Sequence, residues 1–130
     1  MELHEHKNWI IAQKTGEAQV LYSFDKPDFI FNKNEEKRAG KTILISDRTP
    51  TWRPIIVEFP TRINADTQVW FESKVKRDVN VRCLDMDGRV LEEWFIEGAS
   101  PDSIITRPGR KIDTTVLYVT LNYRWSRRVR

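Results

Sequence analysis

The chain has 130 residues and a mass of 15.4 kDa, which is room for one domain with a real core. Hydrophobic residues make up 39% and charged residues 32%, with only five glycines and six prolines, so collagen-like, low-complexity and wholly disordered classes are excluded. The formal net charge of +3 is too small to indicate a nucleic-acid partner by itself.

The N-terminal third predicts strands and an extended hairpin. Residues 9–12 and 19–24 are apolar runs around Thr15-Gly16, which suits a turn. Two further apolar runs flank a polar stretch at residues 32–41, which is typical of an apolar hairpin with a charged tip. We therefore expect an extended hairpin or loop at about residues 25–52. Its last part, residues 47–51, is a second polar stretch that separates the apolar hairpin from a strand over residues 53–59.

A short helix is predicted between Asn64 and Lys74. Asn64 and Asp66 are both suitable N-cap residues, because their side-chain oxygens accept hydrogen bonds from the first turn. We expect Val69 and Trp70 to carry the contact of this helix with the core.

The C-terminal half predicts a hairpin and a final strand. Residues 79–84 and 89–96 flank a turn in which Asp87-Gly88 stands between apolar runs, the strongest short-range hairpin signal. Gly88 tolerates the positive φ that a two-residue hairpin turn requires. From residue 117 to 125 every odd position is apolar, so one face of this strand is expected to be buried. The pattern as a whole predicts an antiparallel β domain.

Sequence spacing provides no catalytic set, so we expect no enzyme, no metal and no cofactor. His4 and His6 lack a second ligand pair, and Cys83 lies in an apolar strand with no histidine near it in sequence. The carboxylates around the predicted turn are better explained by turn chemistry and a solvated face. A single cysteine excludes a disulfide scaffold, and no signal peptide or membrane-spanning run is present. We expect a soluble protein made in the cytoplasm.

Two groups of residues are candidates for a subunit interface. The first is apolar, and it consists of Phe29, Ile30, Phe31 and Trp52. Trp52 stands in a proline-rich stretch, so it either meets a partner or folds back on its own core. The second group is the arginine-rich end, with Arg127, Arg128 and Arg130. Four arginines lie in the last seven residues, and the other 123 residues hold 18 basic and 19 acidic side chains. This end is open to three readings: a solvated terminus, an ion pair to a neighbouring subunit, or a nucleic-acid contact.

Over a little more than half of its length the chain resembles the tail tube proteins of contractile-tailed bacteriophages and related injection machines. The resemblance is carried by the following segments in order: Val57-Glu58-Phe59, Trp70-Phe71, Arg77-Asp78-Val79-Asn80-Val81, Leu84-Asp85-Met86-Asp87-Gly88-Arg89-Val90, Trp94-Phe95-Ile96-Glu97-Gly98-Ala99 and Leu121-Asn122-Tyr123-Arg124-Trp125. It implies a mainly β fold, a small antiparallel sandwich or barrel with one short helix, as a single domain over residues 1–130.

The resemblance also implies a function. Six copies form a ring, rings stack into the inner tail tube, and the genome passes through the channel during ejection without specific binding. The chain is then either the main tube subunit or a tube-like ring protein at the baseplate or head end. Tail sheath, tape measure and baseplate or neck proteins are the implied partners, and the virion tail is the implied location, with no membrane. The alternative hypothesis is a small β-barrel module that binds single-stranded nucleic acid, with aromatic rings stacking on bases beside a basic groove.

Overall fold

A computed structural model of the chain describes residues 8–13, 16–38, 41–109 and 114–130, with the backbone alone for residues 31–38 and 41–49. His4 and His6 therefore lie outside the described residues. Ten strands and one helix are found in the described part. They are β1 (Asn8–Gln13), β2 (Gln19–Leu21), β3 (Ser23–Phe24), β4 (Phe29–Arg38), β5 (Lys41–Trp52), β6 (Ile55–Pro60), α1 (Ala65–Ser73), β7 (Arg77–Leu84), β8 (Val90–Pro108), β9 (Thr115–Asn122) and β10 (Trp125–Arg128).

Seven of the strands form one continuous antiparallel sheet. Their order is β2-β1-β7-β8-β9-β6-β3, and β10 pairs with β8 beside this path. The two ends of the order, β2 and β3, are separated in the chain by Tyr22 alone. The order therefore returns to its starting point and closes into a barrel, which leaves few open edges. A small antiparallel barrel with one short helix is the predicted fold class, and the structure confirms it.

β8 is shared by both halves of the barrel. Its first part, up to Ala99, pairs with β7, and its second part, from Ser100, pairs with β9. The bend between the two parts uses Gly98 at φ +66° and a register irregularity between Pro101 and Ser103. The prediction that this strand ends near residue 96 is wrong, because the glycine and the proline bend the strand without ending it.

The helix begins at the predicted cap. The side-chain oxygen of Asn64 accepts a hydrogen bond from the Thr67 N–H at 2.9 Å. Trp70 is completely buried, and its indole N–H donates to the carbonyl of Val75 at 2.8 Å. The end of the helix is thereby held to the loop that follows it.

The second core residue of the helix is Phe71, and the prediction that Val69 shares this role is wrong. Val69 is 54% exposed, whereas Phe71 is buried and meets Phe59 edge-on with ring centroids 5.0 Å apart. Successive helical residues point about 100° apart, so Val69 and Trp70 lie in different directions and the core selects one of them.

The β7–β8 turn is longer than the predicted two-residue turn. The Asp85 N–H donates to the Arg89 carbonyl at 3.0 Å, and the Gly88 N–H donates to the Asp85 carbonyl at 3.1 Å. The Asp85 carboxylate accepts from the N–H groups of Asp87 and Arg89 at 2.9 and 2.8 Å. Gly88 has φ +82° and is the last residue of the four-residue turn that Asp85 begins.

We expect Gly88→Val to lower the free energy of unfolding by about 1–3 kcal/mol, because a β-branched residue is strained at positive φ. A Cβ at this position meets no atom within 4 Å, so the loss comes from the backbone alone. Gly88→Asn is the control, and it should cost less than about 1 kcal/mol because asparagine tolerates this conformation. Urea unfolding measures both, and equal losses would show that positive φ is not the cause.

The predicted C-terminal strand is divided in two. β9 ends at Asn122 and β10 begins at Trp125, with the break at Tyr123 and Arg124. Val119 and Leu121 are buried as the alternation predicts. Beyond the break the alternation is reversed, since Ser126 is the buried residue and Trp125 packs on Phe95 with ring centroids 5.4 Å apart. The arginine-rich end is therefore part of a strand that pairs with β8.

β4 and β5 form a long antiparallel hairpin that, among the described residues, pairs with no other strand. Residues 47–51, expected to be a polar stretch after the hairpin, belong to β5. Trp52, expected in a loop, is the last residue of β5 and lies opposite Phe29, the first residue of β4. Cross-strand pairing extends a strand through polar residues when the partner strand continues beside it.

Candidate subunit interface

Three aromatic rings hold the base of the hairpin to the barrel. The rings of Phe29 and Trp52 lie 4.8 Å apart between centroids, and Trp52 lies 6.0 Å from Tyr123 at the end of β9. Tyr123 packs against the core, whereas Phe29 is 45% exposed. Trp52 therefore contacts the protein's own barrel on one side and the exposed ring of Phe29 on the other, and a partner that covers this surface stays a prediction.

Polar contacts close the same base. The Arg53 N–H donates to the Asp28 carbonyl at 3.1 Å, and the two side chains form an exposed ion pair at 3.8 Å. Burial raises the pKa of Tyr123 to about 12, and the negative charge of Asp28 adds to the rise. The phenol is therefore neutral over the physiological pH range.

The predicted arginines differ in their surroundings. Arg128 reaches Glu92 at 3.6 Å, and Arg127 lies over the ring of Phe95 at 5.9 Å from its centroid. Arg130 pairs through its backbone, since its N–H donates to the Glu93 carbonyl and its carbonyl accepts from the Glu93 N–H. The end of the chain is therefore bound to β8, and the Arg127 guanidinium lies on the surface of the sheet.

Glu92 is the centre of a charged cluster beside these arginines. Its carboxylate is 3.2 Å from the Lys26 ammonium group and accepts from the indole N–H of Trp94 at 2.7 Å. Burial acts to raise the pKa of Glu92, but the hydrogen bonds from Trp94 and Lys26 and the charges of Lys26 and Arg128 outweigh it, so the pKa is lowered.

Because the pKa of Glu92 is lowered in the folded protein, the ionised carboxylate stabilises the fold at pH values above the ordinary glutamate pKa of 4.5. This stabilisation is lost as the pH falls through the pKa that Glu92 has in the folded protein. We expect Glu92→Gln to be less stable than the parent at pH 7, with the difference vanishing in strongly acidic buffer. Glutamine keeps an acceptor for the Trp94 N–H, so the comparison isolates the charge. Urea unfolding at a series of pH values measures it, and a difference that is independent of pH would contradict the assignment.

Four of the predicted interface residues line one groove, which we call the hairpin-base groove. Its volume is about 410 Å³, and it is lined by Pro27, Asp28, Phe29, Trp52, Trp94, Ser126, Arg127 and Arg128. The apolar group and the arginine group thus meet at one surface. Trp52 and Arg127, one from each group, are 75 residues apart in the chain.

The remaining predicted residues lie elsewhere. Ile30 is 45% exposed on the hairpin, Arg130 lies at the end of the chain, and the Phe31 side chain is outside the described residues. Asp87 and Gly88 form part of the β7–β8 turn and do not line the groove.

Sequence reasoning missed three residues here: Trp94, which lines the groove, Glu92, whose carboxylate meets Arg128 beside it, and Ser126, which also lines the groove. A usable signal was present for the first two, because Glu92 and Trp94 are two apart in a strand and therefore share a face. Ser126 could not be placed, because the reversal of alternation at Tyr123 and Arg124 leaves no trace in the apolar pattern.

Within the described residues no group of three or more histidine, cysteine, aspartate or glutamate side chains is arranged to hold a metal ion. Cys83 is a buried thiol. In the same part of the chain no helix has both the length and the apolar character required to cross a membrane.

The fold is shared with proteins of contractile injection systems, although no family model matches the sequence and no curated protein matches it. A chain of the anti-feeding prophage baseplate superposes with a TM-score of 0.69 at 9% identity, covering 99% of this chain and 95% of that one. The sheath/tube terminator of an extracellular contractile injection system gives a TM-score of 0.68 at 16% identity, covering 100% and 96%. Hcp1 from Flavobacterium johnsoniae gives 0.61 at 9% identity, covering 94% of each chain. These structures confirm the resemblance to tube proteins at the level of the fold.

Proposed function

We propose that this chain is a structural subunit of a tube, in which copies assemble side by side into rings and the rings stack around a channel. The likeness to tube, terminator and baseplate chains supports the proposal through the fold. The arrangement of strand edges in this chain supports it independently.

The supporting observation is a four-stranded part of the barrel with two open edges. This part consists of the second half of β8, then β9, β6 and β3, all antiparallel. Among the described residues, the stretch 103–108 pairs with β9 alone and β3 pairs with β6 alone. Because this part has an even number of strands, its two edge strands run in opposite directions. β3 of one copy can therefore lie next to β8 of another copy and continue the antiparallel pattern. Unpaired edges favour association with another chain, and ring formation pairs them.

The same sheet provides a wall. Ser23, Glu58, Tyr118 and Ile105 lie in one row across the four strands. The neighbouring row, formed by Phe24, Val57, Val119 and Ile104, faces the core. In a ring, the row from Ser23 to Ile105 repeats in every copy on the surface opposite the core. We propose that this surface lines the channel.

Finer features belong to the same proposal. We propose six copies to a ring, as the sequence resemblance implies and as the 6-fold symmetry of the anti-feeding prophage baseplate supports. The whole chain acts as one non-enzymatic domain in a contractile tail particle that is assembled in the host cytoplasm. Sheath, tape measure and baseplate or neck proteins are its neighbours, and a genome passes through the channel during ejection.

Disulfide trapping between the two open edges tests the ring. In a Cys83→Ser background, Ser23→Cys is combined in turn with Ser103→Cys, Ile105→Cys or Arg107→Cys, which samples three registers along β8. Strands that pair lie about 4.8 Å apart, within reach of a disulfide. We expect one combination to give a ladder of covalent oligomers that ends at the ring number, with rings visible by electron microscopy.

Each single-cysteine variant is the matched control, and it should give dimers at most. Monomers alone at high protein concentration, in sedimentation and in images, would contradict the proposed function. Rings without cross-links in any register would retain the function and reject the edge assignment.

A further inference from the structure

One wall of the hairpin-base groove is the outer edge of β10, which pairs with β8 alone in the described part of the chain. β10 pairs with β8 in a register that places Arg127 opposite Phe95 and Arg128 opposite Trp94. The Val129 N–H donates to the Glu93 carbonyl at 2.8 Å, so residues 125, 127 and 129 carry the backbone bonds to β8. The N–H and C=O groups of Ser126 and Arg128 then point away from β8, and both residues line the groove.

The other walls of the groove are suited to an extended chain. Residues 27–29 also line the groove, Trp52 and the exposed ring of Phe29 supply apolar surface, and Trp94 lies opposite Arg128 in the neighbouring strand. The groove has about 410 Å³, which is enough for a few residues and too little for a helix about 10 Å across.

The charge around the groove is positive on balance. Lys26, Arg53, Arg127 and Arg128 outnumber Asp28 and Glu92. Glu92 is largely enclosed by its own partners, since its side chain is only 14% exposed. Arg127 has no acidic partner within 4 Å among the described residues and lies on the outer face of β10. An occupant with carboxylates on that face would complement it.

We propose that the hairpin-base groove binds an extended acidic segment of a partner protein, which adds a strand to β10. The segment pairs its backbone with Ser126 and Arg128, places carboxylates beside Arg127, and turns alternate apolar side chains toward Trp52 and Trp94. This is recognition by strand addition, in which the main chain provides affinity and alternate side chains provide specificity. The site does not depend on ring formation, so it stands or falls separately from the proposed function.

The test uses the full chain and a fluorescein-labelled peptide of sequence Ser-Glu-Val-Glu-Phe-Glu-Val-Glu-Ser, followed by fluorescence anisotropy. We expect saturable binding that weakens with salt, and binding at least about tenfold weaker when lysine replaces glutamate, because like charges at Arg127 repel. N-methylation of one set of alternate amides should abolish binding, whereas methylation of the other set should leave it intact, since only one edge of the peptide pairs with β10.

Protein variants identify the site. Arg127→Glu should weaken binding of the glutamate peptide by about tenfold or more. Arg124→Glu is the matched control, because it makes the same charge change in the same tail at a side chain that is 80% exposed and does not line the groove. It should change the affinity less than about threefold, as expected for a distant screened charge. Circular dichroism confirms that both variants fold.

The proposal is overturned by the absence of peptide binding, by equal binding of the lysine peptide, or by equal tolerance of both N-methylated peptides. A ten-nucleotide oligothymidylate is titrated in parallel. If it binds more tightly than the glutamate peptide and loses affinity in Arg127→Glu, the groove is a single-stranded nucleic-acid site and the protein partner is rejected.

Discussion

Trp70→Ala should lower the free energy of unfolding by about 3–5 kcal/mol, the range for truncating a buried aromatic residue. Trp70 is completely buried, packs beside Phe71 at 6.0 Å between centroids, and donates its indole N–H to the Val75 carbonyl. The substitution removes the ring and leaves that carbonyl without its partner. Since a domain of this size has about 5–15 kcal/mol in total, this loss is a large part of its stability.

The adjacent residue provides the control for this variant. Val69 lies on the same helix and is 54% exposed, so Val69→Ala should change stability by less than about 0.5 kcal/mol. Urea unfolding followed by circular dichroism measures both variants, and the native helical signal at low denaturant shows whether each one folds. A loss at Val69 equal to that at Trp70 would mean that the helix packs through a different face.

Gly16→Ala should cost about 2–4 kcal/mol, because two independent penalties coincide at this residue. Gly16 has φ +102°, and a Cβ placed on it would lie 2.6 Å from the Asp66 carboxylate. That carboxylate does not move freely, since it pairs with Arg77 at 3.3 Å. The loop is also fixed to the start of the helix, because the Asn64 side chain donates to the Glu17 carbonyl at 3.2 Å.

Gly88→Ala separates the two penalties. Gly88 has φ +82° but has open space around its Cβ position, so alanine there meets the backbone penalty alone, about 1–2 kcal/mol. The excess loss at Gly16 over Gly88 measures the collision with Asp66. Equal losses in urea unfolding would show that the loop at Gly16 moves aside at no cost.

Local patterns in the sequence predict most elements, because each depends on neighbouring residues. The Asn64 cap, the apolar alternation at Val119 and Leu121, and the aspartate-glycine turn are all properties of a few consecutive side chains. The prediction that Val69 contacts the core is wrong because Val69 and Trp70 are adjacent and point in different directions from the helix. The packing of the rest of the barrel determines which of the two is buried.

Features that depend on distant pairing could not be obtained in this way. Gly98 and Pro101 are usual strand breakers, yet β8 continues through both because β7 and β9 pair with its two halves. Tyr22 separates two strands that bond to opposite ends of the sheet, which no local pattern reports. The hairpin-base groove needs Trp52 beside Tyr123 and Trp94 beside Arg128, and these contacts exist only once the barrel is closed.

The long bend of β8 also determines how the molecule responds to force. β8 is a single strand of 19 residues that runs through both halves of the barrel, with no loop between them. A pull on one half is therefore transmitted to the other through extended backbone and its hydrogen-bond ladders, and not through a flexible joint. In the proposed tube, each subunit would therefore resist shear between the two halves of its barrel as one piece.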